Sequence, residues 1–204
     1  MLDQVYSLYR RERGLEKSEP HFDFVTDVAG DETTERVLVH DLDIVAFGKK
    51  FLNGASYVYT TLSFKNAEDI LDVTARDMTG DGKAEVIVRG TIEAKASKQL
   101  GGSVIRRHAL FVYKIRSSGV KRIFAAETGR SLDDKSVIGK LVFLPQSGGV
   151  SIDLKPGRAV GWSEDDYPFP EDRFPYGGLE PLLLPWTGLE PRHYEFDGSK
   201  YVQR

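Results

Sequence analysis

ARDMTGDGKAEVIVRG, from Ala75 to Gly90, places three acids, Asp77, Asp81 and Glu85, at every fourth position around a glycine turn. Gly82 lies inside the turn, where a positive φ carries no steric cost. The valine-rich stretch that follows predicts a strand. A second copy lies fifty residues earlier. FVTDVAGDETTERVLV aligns with DVTARDMTGDGKAEVIV, so that Asp27, Gly30, Asp31 and Glu35 fall on Asp77, Gly80, Asp81 and Glu85. In each copy a strand enters the loop and a Val-rich strand leaves it. A fifty-residue period with about four strands per unit is the spacing of propeller blades.

Outward from these loops the chain reads as short alternating or apolar runs divided by turn residues, the pattern of antiparallel sheet. The expected strands are HFDFVTD, ERVLVH, DIVAFG, SYVYTTLSF, DILDVTARD, EVIVRGTI, RHALFVYKIR, VKRIFAAET, SVIGKLVFLP, GVSIDL, GRAVGW, HYEF and KYV. Asp197-Gly198 is a strong hairpin signal. Leu2, Val5, Leu8 and Tyr9 recur at helical spacing, predicting one amphipathic helix that ends near Gly14. Between Trp162 and Pro191 stand six of the nine prolines. Proline has no N–H for a ladder, so this segment is expected to lie over the sheets as a cover, anchored by Leu182, Leu183, Leu184 and Trp186.

The expected fold class is therefore mainly β. It comprises antiparallel, propeller-like four-stranded meanders, a short N-terminal helix and a Pro-rich C-terminal cover segment. Two repeats are too few to close a toroid, so the sheets should pack face to face. The chain is expected to form a single domain over 1–204, with the helix at 1–17, a first repeat at 21–68 and a second at 69–130. The C-terminal strands and Pro-rich segment follow at 131–204.

The stretch 77–85 resembles the aspartate-rich loops of FG-GAP and VCBS-type repeats, the blades of integrin-like propellers. The resemblance covers two loops and their flanking strands. It implies a loop between the first and second strands of a blade that often binds calcium, in modules that bind proteins or sugars and are commonly exported. Calcium takes several oxygen ligands from a chain that curls around it. Ligand positions 1, 3, 5 and 9 would be Asp77, Thr79, Asp81 and Glu85, with the carbonyl of Lys83 at position 7. Thr79 departs from the usual Asp or Asn of the pattern. In the first copy, Ala29 stands at position 3 and Glu32 replaces the glycine, so Asp27 and Asp31 read as turn-forming side chains. For the second loop two readings stay open: a calcium site, or a turn capped by its own aspartates.

Other constellations are weaker. His21, His40, His108 and His193 show no metal-binding spacing, and the chain has neither a G-x-S-x-G elbow nor a P-loop. It contains no cysteine, which excludes disulfides, thiolate metal sites and cysteine nucleophiles. The acids Glu164, Asp165, Asp166, Glu171 and Asp172 alternate with Tyr167, Phe169, Phe174 and Tyr176. This segment, 164–176, is the alternative site of a glycan-acting hydrolase using a carboxylate pair. Between Ala94 and Ala126 there are eight Lys or Arg and no acid. Period-two alternation places Arg106, His108, Lys114 and Arg116 on one face of a strand, with Phe111, Tyr113 and Ile115 towards the core. That stripe suits an acidic partner.

A net charge of −3 argues against a general polyanion binder, and nucleic acid is not expected as a partner. No run of eighteen apolar residues is present, so no transmembrane helix is expected, and the first residues lack the apolar core of a signal peptide. The functional expectation is a non-enzymatic binding or structural module, periplasmic or extracellular as the resemblance implies, with a protein or glycan partner. The alternatives are the hydrolase and a metal-free assembly component recruited through the basic strand.

Overall fold

The computed structural model describes residues 2–31, 33–96, 98, 103–169, 178–188 and 190–204. Helix α1 (Leu2–Arg13) is followed by β1 (Phe22–Thr26), β2 (Glu35–His40), β3 (Asp43–Gly48) and β4 (Val58–Thr61). These four strands pair in sequence order as one antiparallel sheet. Eight more strands form the second sheet, again paired in sequence order. They are β5 (Ile70–Arg76), β6 (Glu85–Lys95), β7 (Val104–Arg116), β8 (Gly119–Leu132), β9 (Lys135–Gln146), β10 (Gly149–Val160), β11 (Arg192–Phe196) and β12 (Tyr201–Gln203). The protein is mainly β, with one α-helix among the described residues and neither sheet closed on itself.

β2 and β3 are apolar on both sides because both sides are covered, the situation that replaces alternation with continuous hydrophobic runs. On one face Leu38, Val45 and Phe47 meet Val5 and Tyr9 of α1. On the other, Val37, Val39, Ile44 and Ala46 pack against Val86 and Val88 of β6 and Phe111 and Tyr113 of β7. The two sheets thus share one core face to face. Asp43 is buried at the helix–sheet junction. Arg13 bonds to it at 2.8 Å, Thr61 at 2.6 Å and the Tyr9 hydroxyl at 3.3 Å.

A second core lies on the opposite face of β6–β8. There Ile87, Leu110, Val112 and Phe124 contact Ile152, Leu154, Tyr194 and Tyr201. The strands of one continuous sheet therefore pack against one another across this core. β8 and β9 make that possible by pairing only at their hairpin end, Gly129–Leu132 with Lys135–Ile138, before they part. The edge of β8 left free is taken by the Pro-rich segment. Glu180 N–H donates to the Ala125 carbonyl at 2.8 Å, and Glu127 N–H donates to the Glu180 carbonyl at 2.9 Å, in a parallel bridge. Leu179 enters the first core, Leu183 the second, and Leu184 a third with Val137 and Trp162. Leu182 and Trp186, expected as anchors beside them, are only partly buried.

One expected break between strands is absent, and SYVYTTLSF is strand only over Val58–Thr61. GVSIDL and the first four residues of GRAVGW lie in a single strand, β10, whose register slips between Lys155 and Arg158, and Gly161 and Trp162 lie beyond its end. Pro156 supplies no N–H at that point, so the irregularity reads in sequence as a break between strands.

Candidate functional site

The loop Asp77–Ala84 joins β5 to β6 and is organised by two carboxylates. Asp77 accepts the N–H groups of Gly80 at 2.7 Å and Gly82 at 2.9 Å. Glu85, the first residue of β6, turns back into the loop and accepts Met78 N–H at 2.8 Å and Thr79 N–H at 3.1 Å through Oε2. Asp81 accepts Lys83 N–H at 3.2 Å. The loop 27–34, between β1 and β2, repeats the pattern. Asp27 accepts Gly30 N–H at 2.6 Å, Asp31 accepts Thr33 N–H at 3.1 Å, and Glu35 accepts Val28 and Ala29 N–H at 3.0 and 3.1 Å. Gly30 and Gly80 hold nearly the same left-handed φ, 71° and 73°. The two loops also touch. Ala84 N–H donates to the Asp27 carbonyl at 2.8 Å, and the Lys83 side chain lies over Gly30.

The loops differ in what faces their glutamate. β6 pairs with β7 so that Val86 opposes Tyr113, which puts Lys114 opposite Glu85. Lys114 Nζ reaches Glu85 Oε1 at 2.6 Å, Thr79 Oγ1 at 2.7 Å and Asp81 Oδ2 at 2.9 Å. Thr79 in turn donates to Glu85 Oε1 at 3.1 Å. Glu85 is fully buried and Lys114 is 5% exposed, so the ammonium is held almost entirely by these oxygens. Burial acts to raise the Asp81 carboxyl, but the hydrogen bond and charge of Lys114 outweigh it and hold Asp81 below the ordinary range. In the first loop Glu35 opposes Gly48 instead, and Ala29 replaces Thr79. Glu35 Oε1 is buried with no hydrogen-bond partner among the described residues, and desolvation pushes this carboxyl up.

The side chains of the sequence-predicted calcium ligands Asp77, Thr79, Asp81 and Glu85 lie around one loop, yet their oxygens are already engaged. Both Asp77 oxygens accept backbone N–H groups, while Thr79, Asp81 and Glu85 share the ammonium of Lys114. A calcium ion needs six to eight oxygens at about 2.3–2.6 Å. It does not fit this set while Lys114 is in place. Lys83 contributes its N–H to Asp81 and its side chain to the first loop.

The basic stripe requires correction. Arg106, His108 and Lys114 do alternate with Leu110 and Val112, but that face is not an outer one. Leu110 and Val112 are buried against β10–β12, and Lys114 points into the loop. Arg106 pairs with Glu93 at 3.0 Å, and His108 stands 3.4 Å from Thr91 Oγ1. Of the four only Arg116, at the end of β7, remains exposed without an ion pair among the described residues. It lines two adjoining clefts with Lys114. One, of about 440 Å³, runs between the two loops past Asp31, Lys50, Asp81 and Lys83; the other, of about 230 Å³, passes Lys121, Ile123 and Ser199.

In the acidic aromatic segment, Glu171, Asp172, Phe174 and Tyr176 lie outside the described residues. Asp166 accepts Ser163 and Lys135 hydrogen bonds, which pull its carboxyl down to about 2, the opposite of what a general acid requires. Tyr167 and Phe169 pack edge-on against Trp162 rather than standing out towards a ligand. His193 bonds Asp153 at 2.7 Å, and its other ring nitrogen lies 3.5 Å from Glu195, so the pair addresses no nucleophile.

The orphaned oxygen of Glu35 leads to a prediction. A carboxyl raised in the folded state favours folding when protonated, and that contribution is lost as pH rises from the ordinary glutamate value through the raised one. Glu35→Gln keeps an acceptor for Val28 and Ala29 and removes the charge. At neutral pH it should be more stable than the parent by about 1 kcal/mol. Thermal melts of both proteins across mildly acidic to neutral pH check this: the curves should converge at low pH and separate as pH rises.

No family model matches the chain, and neither does any curated protein or solved structure.

Proposed function

We propose that the protein is a non-enzymatic binding module that docks an acidic segment of a protein partner at the loop end of its two sheets. The observation that carries this reading is the pair of clefts meeting at Arg116. Exposed Arg116 and Lys121, with Lys83 between the loops, rim the clefts, whereas Asp31 and Asp81 face their own loop donors and Lys114. Unbalanced cations beside a concave surface attract carboxylates and accelerate their encounter. The acidic partner expected for the basic strand thus moves from the strand's face to its end.

In this reading β1–β4 and β5–β8 are two propeller-blade-like units. Each carries its aspartate loop between first and second strands, and Leu179–Leu184 act as the cover. The loops serve as a rigid frame for the clefts. Placement outside the cytoplasm follows from the resemblance to FG-GAP and VCBS-type repeats and is proposed on that ground. The glycan hydrolase draws no support from Asp166, held ionised as it is.

Fluorescence anisotropy with a labelled Asp/Glu-rich peptide tests the proposal. Binding should weaken steeply with added salt, and Arg116→Glu/Lys121→Glu should reduce affinity by about tenfold or more. Affinity unchanged by the double charge reversal would exclude the rim. Turnover of chromogenic glycosides that Asp165→Asn abolishes would replace this reading with the hydrolase.

A further inference from the structure

We infer that Lys114 is the resident cation of the loop 77–85: its ammonium stands where a divalent ion would, and the same oxygens form a latent divalent-cation site that opens only when the lysine is removed. Three observations carry this. First, Nζ bonds side-chain oxygens of Thr79, Asp81 and Glu85, at 2.7, 2.9 and 2.6 Å. These are positions 3, 5 and 9 of the ligand series read from the sequence, gathered around one positive charge. Second, the ammonium is almost fully buried among them, so it is a built part of the loop rather than a surface lysine resting nearby. Third, the sister loop supplies a comparison inside the same chain. It shares four of the backbone hydrogen bonds, but Gly48 opposite its glutamate delivers no cation, and Glu35 Oε1 has no hydrogen-bond partner among the described residues.

Size and charge make the two occupants mutually exclusive. An ammonium at 2.6–2.9 Å from three oxygens fills the space in which a metal ion would approach the same atoms. A divalent ion beside it would also meet a like charge at short range with little water to screen it. A lysine carried on the neighbouring strand is already part of the fold, so the loop closes whatever the ionic composition around it. This inference is independent of the basic rim and stands or falls separately from it.

The test compares wild type, Lys114→Ala and Lys114→Ala/Asp81→Asn in chelator and in millimolar calcium, at fixed ionic strength, by thermal unfolding and by isothermal titration with calcium. Wild type should show no resolvable shift and no binding heat. Lys114→Ala should melt lower in chelator and recover several degrees in calcium, with one ion bound, since a ligand specific to the folded state raises its melting temperature. The double variant should lose that recovery. If Lys114→Ala does not fold in chelator, refolding yield is read instead, and a yield dependent on calcium supports the inference. Three results would overturn it: a calcium shift or binding heat in wild type, a folded Lys114→Ala indifferent to calcium, or a refolding yield equally poor with and without the ion.

Discussion

Glu85→Ala is expected to lower the melting temperature by roughly 10 °C or more, a loss of about 3–5 kcal/mol. The side chain is fully buried and accepts four hydrogen bonds, from Met78 N–H, Thr79 N–H, the Thr79 hydroxyl and Lys114. Alanine strands two backbone donors and leaves a buried ammonium with Asp81 as its one carboxylate partner beside the Thr79 hydroxyl. Removing one partner of a buried ion pair costs far more than the pair itself is worth, because the remaining charge has lost its compensation. Glu85→Gln keeps the backbone acceptor and should fall between the variant and wild type. The coupling is measurable: in a double-mutant cycle, Glu85→Leu with Lys114→Met should cost less than the sum of the single changes. Additive costs would show that the two side chains act independently. The first loop offers the opposite case, since Glu35 can lose its charge with a gain.

Gly80→Ala is expected to cost about 2–4 kcal/mol, combining a left-handed backbone penalty with a steric clash. Gly80 holds a φ of 73°, and a Cβ there would stand 2.6 Å from the carbonyl carbon and oxygen of Gly148. The turn between β9 and β10 sits directly on the loop, and Val150 N–H donates to the Met78 carbonyl at 2.9 Å. Two neighbours separate the causes. Gly82 has a similar φ of 78° but open space around it, so Gly82→Ala should show the backbone penalty of about 1–2 kcal/mol alone. At Gly30 the obstacle is the end of the Lys83 side chain, which can swing aside, so Gly30→Ala should resemble Gly82→Ala. Chemical denaturation of the three variants checks the order. Equal losses would mean that contact with the β9–β10 turn contributes nothing.

The strand content, the N-terminal helix and the repeated loop were legible because each leaves a local mark: alternation, helical spacing, or acids at fixed offsets from glycine. Asp27, Asp31, Asp77 and Asp81 form the turns that their residue types favour. The fate of Lys114 was not legible from its own strand, where it continued a basic stripe. Its position within FVYKI, apolar on both sides, was the available signal, since a lysine there is buried and needs carboxylate partners. Naming those partners required the β6–β7 register, which is a property of two strands together. The outer face assigned to Leu110 and Val112 failed for a related reason. Nothing in β7 itself reveals that β10–β12 fold back over it. The breach between β8 and β9 is likewise invisible locally, because the segment that fills it, around Glu180, comes some fifty residues after Glu127.

The Tyr201 hydroxyl lies between the Met78 carbonyl at 2.8 Å and the Val150 carbonyl at 2.7 Å, donating to one or the other across 123 or 51 residues of chain. The loop's own hydrogen bonds are short-range and can form as soon as Glu85 has been made. Its fixation from above waits for a residue synthesised long after it, at ribosomal speeds of about 5–20 residues per second. The loop between β5 and β6, the start of β10 and the C-terminal hairpin are therefore fastened together at one hydroxyl. Shortening the chain by its last few residues would thus loosen a turn more than a hundred residues upstream.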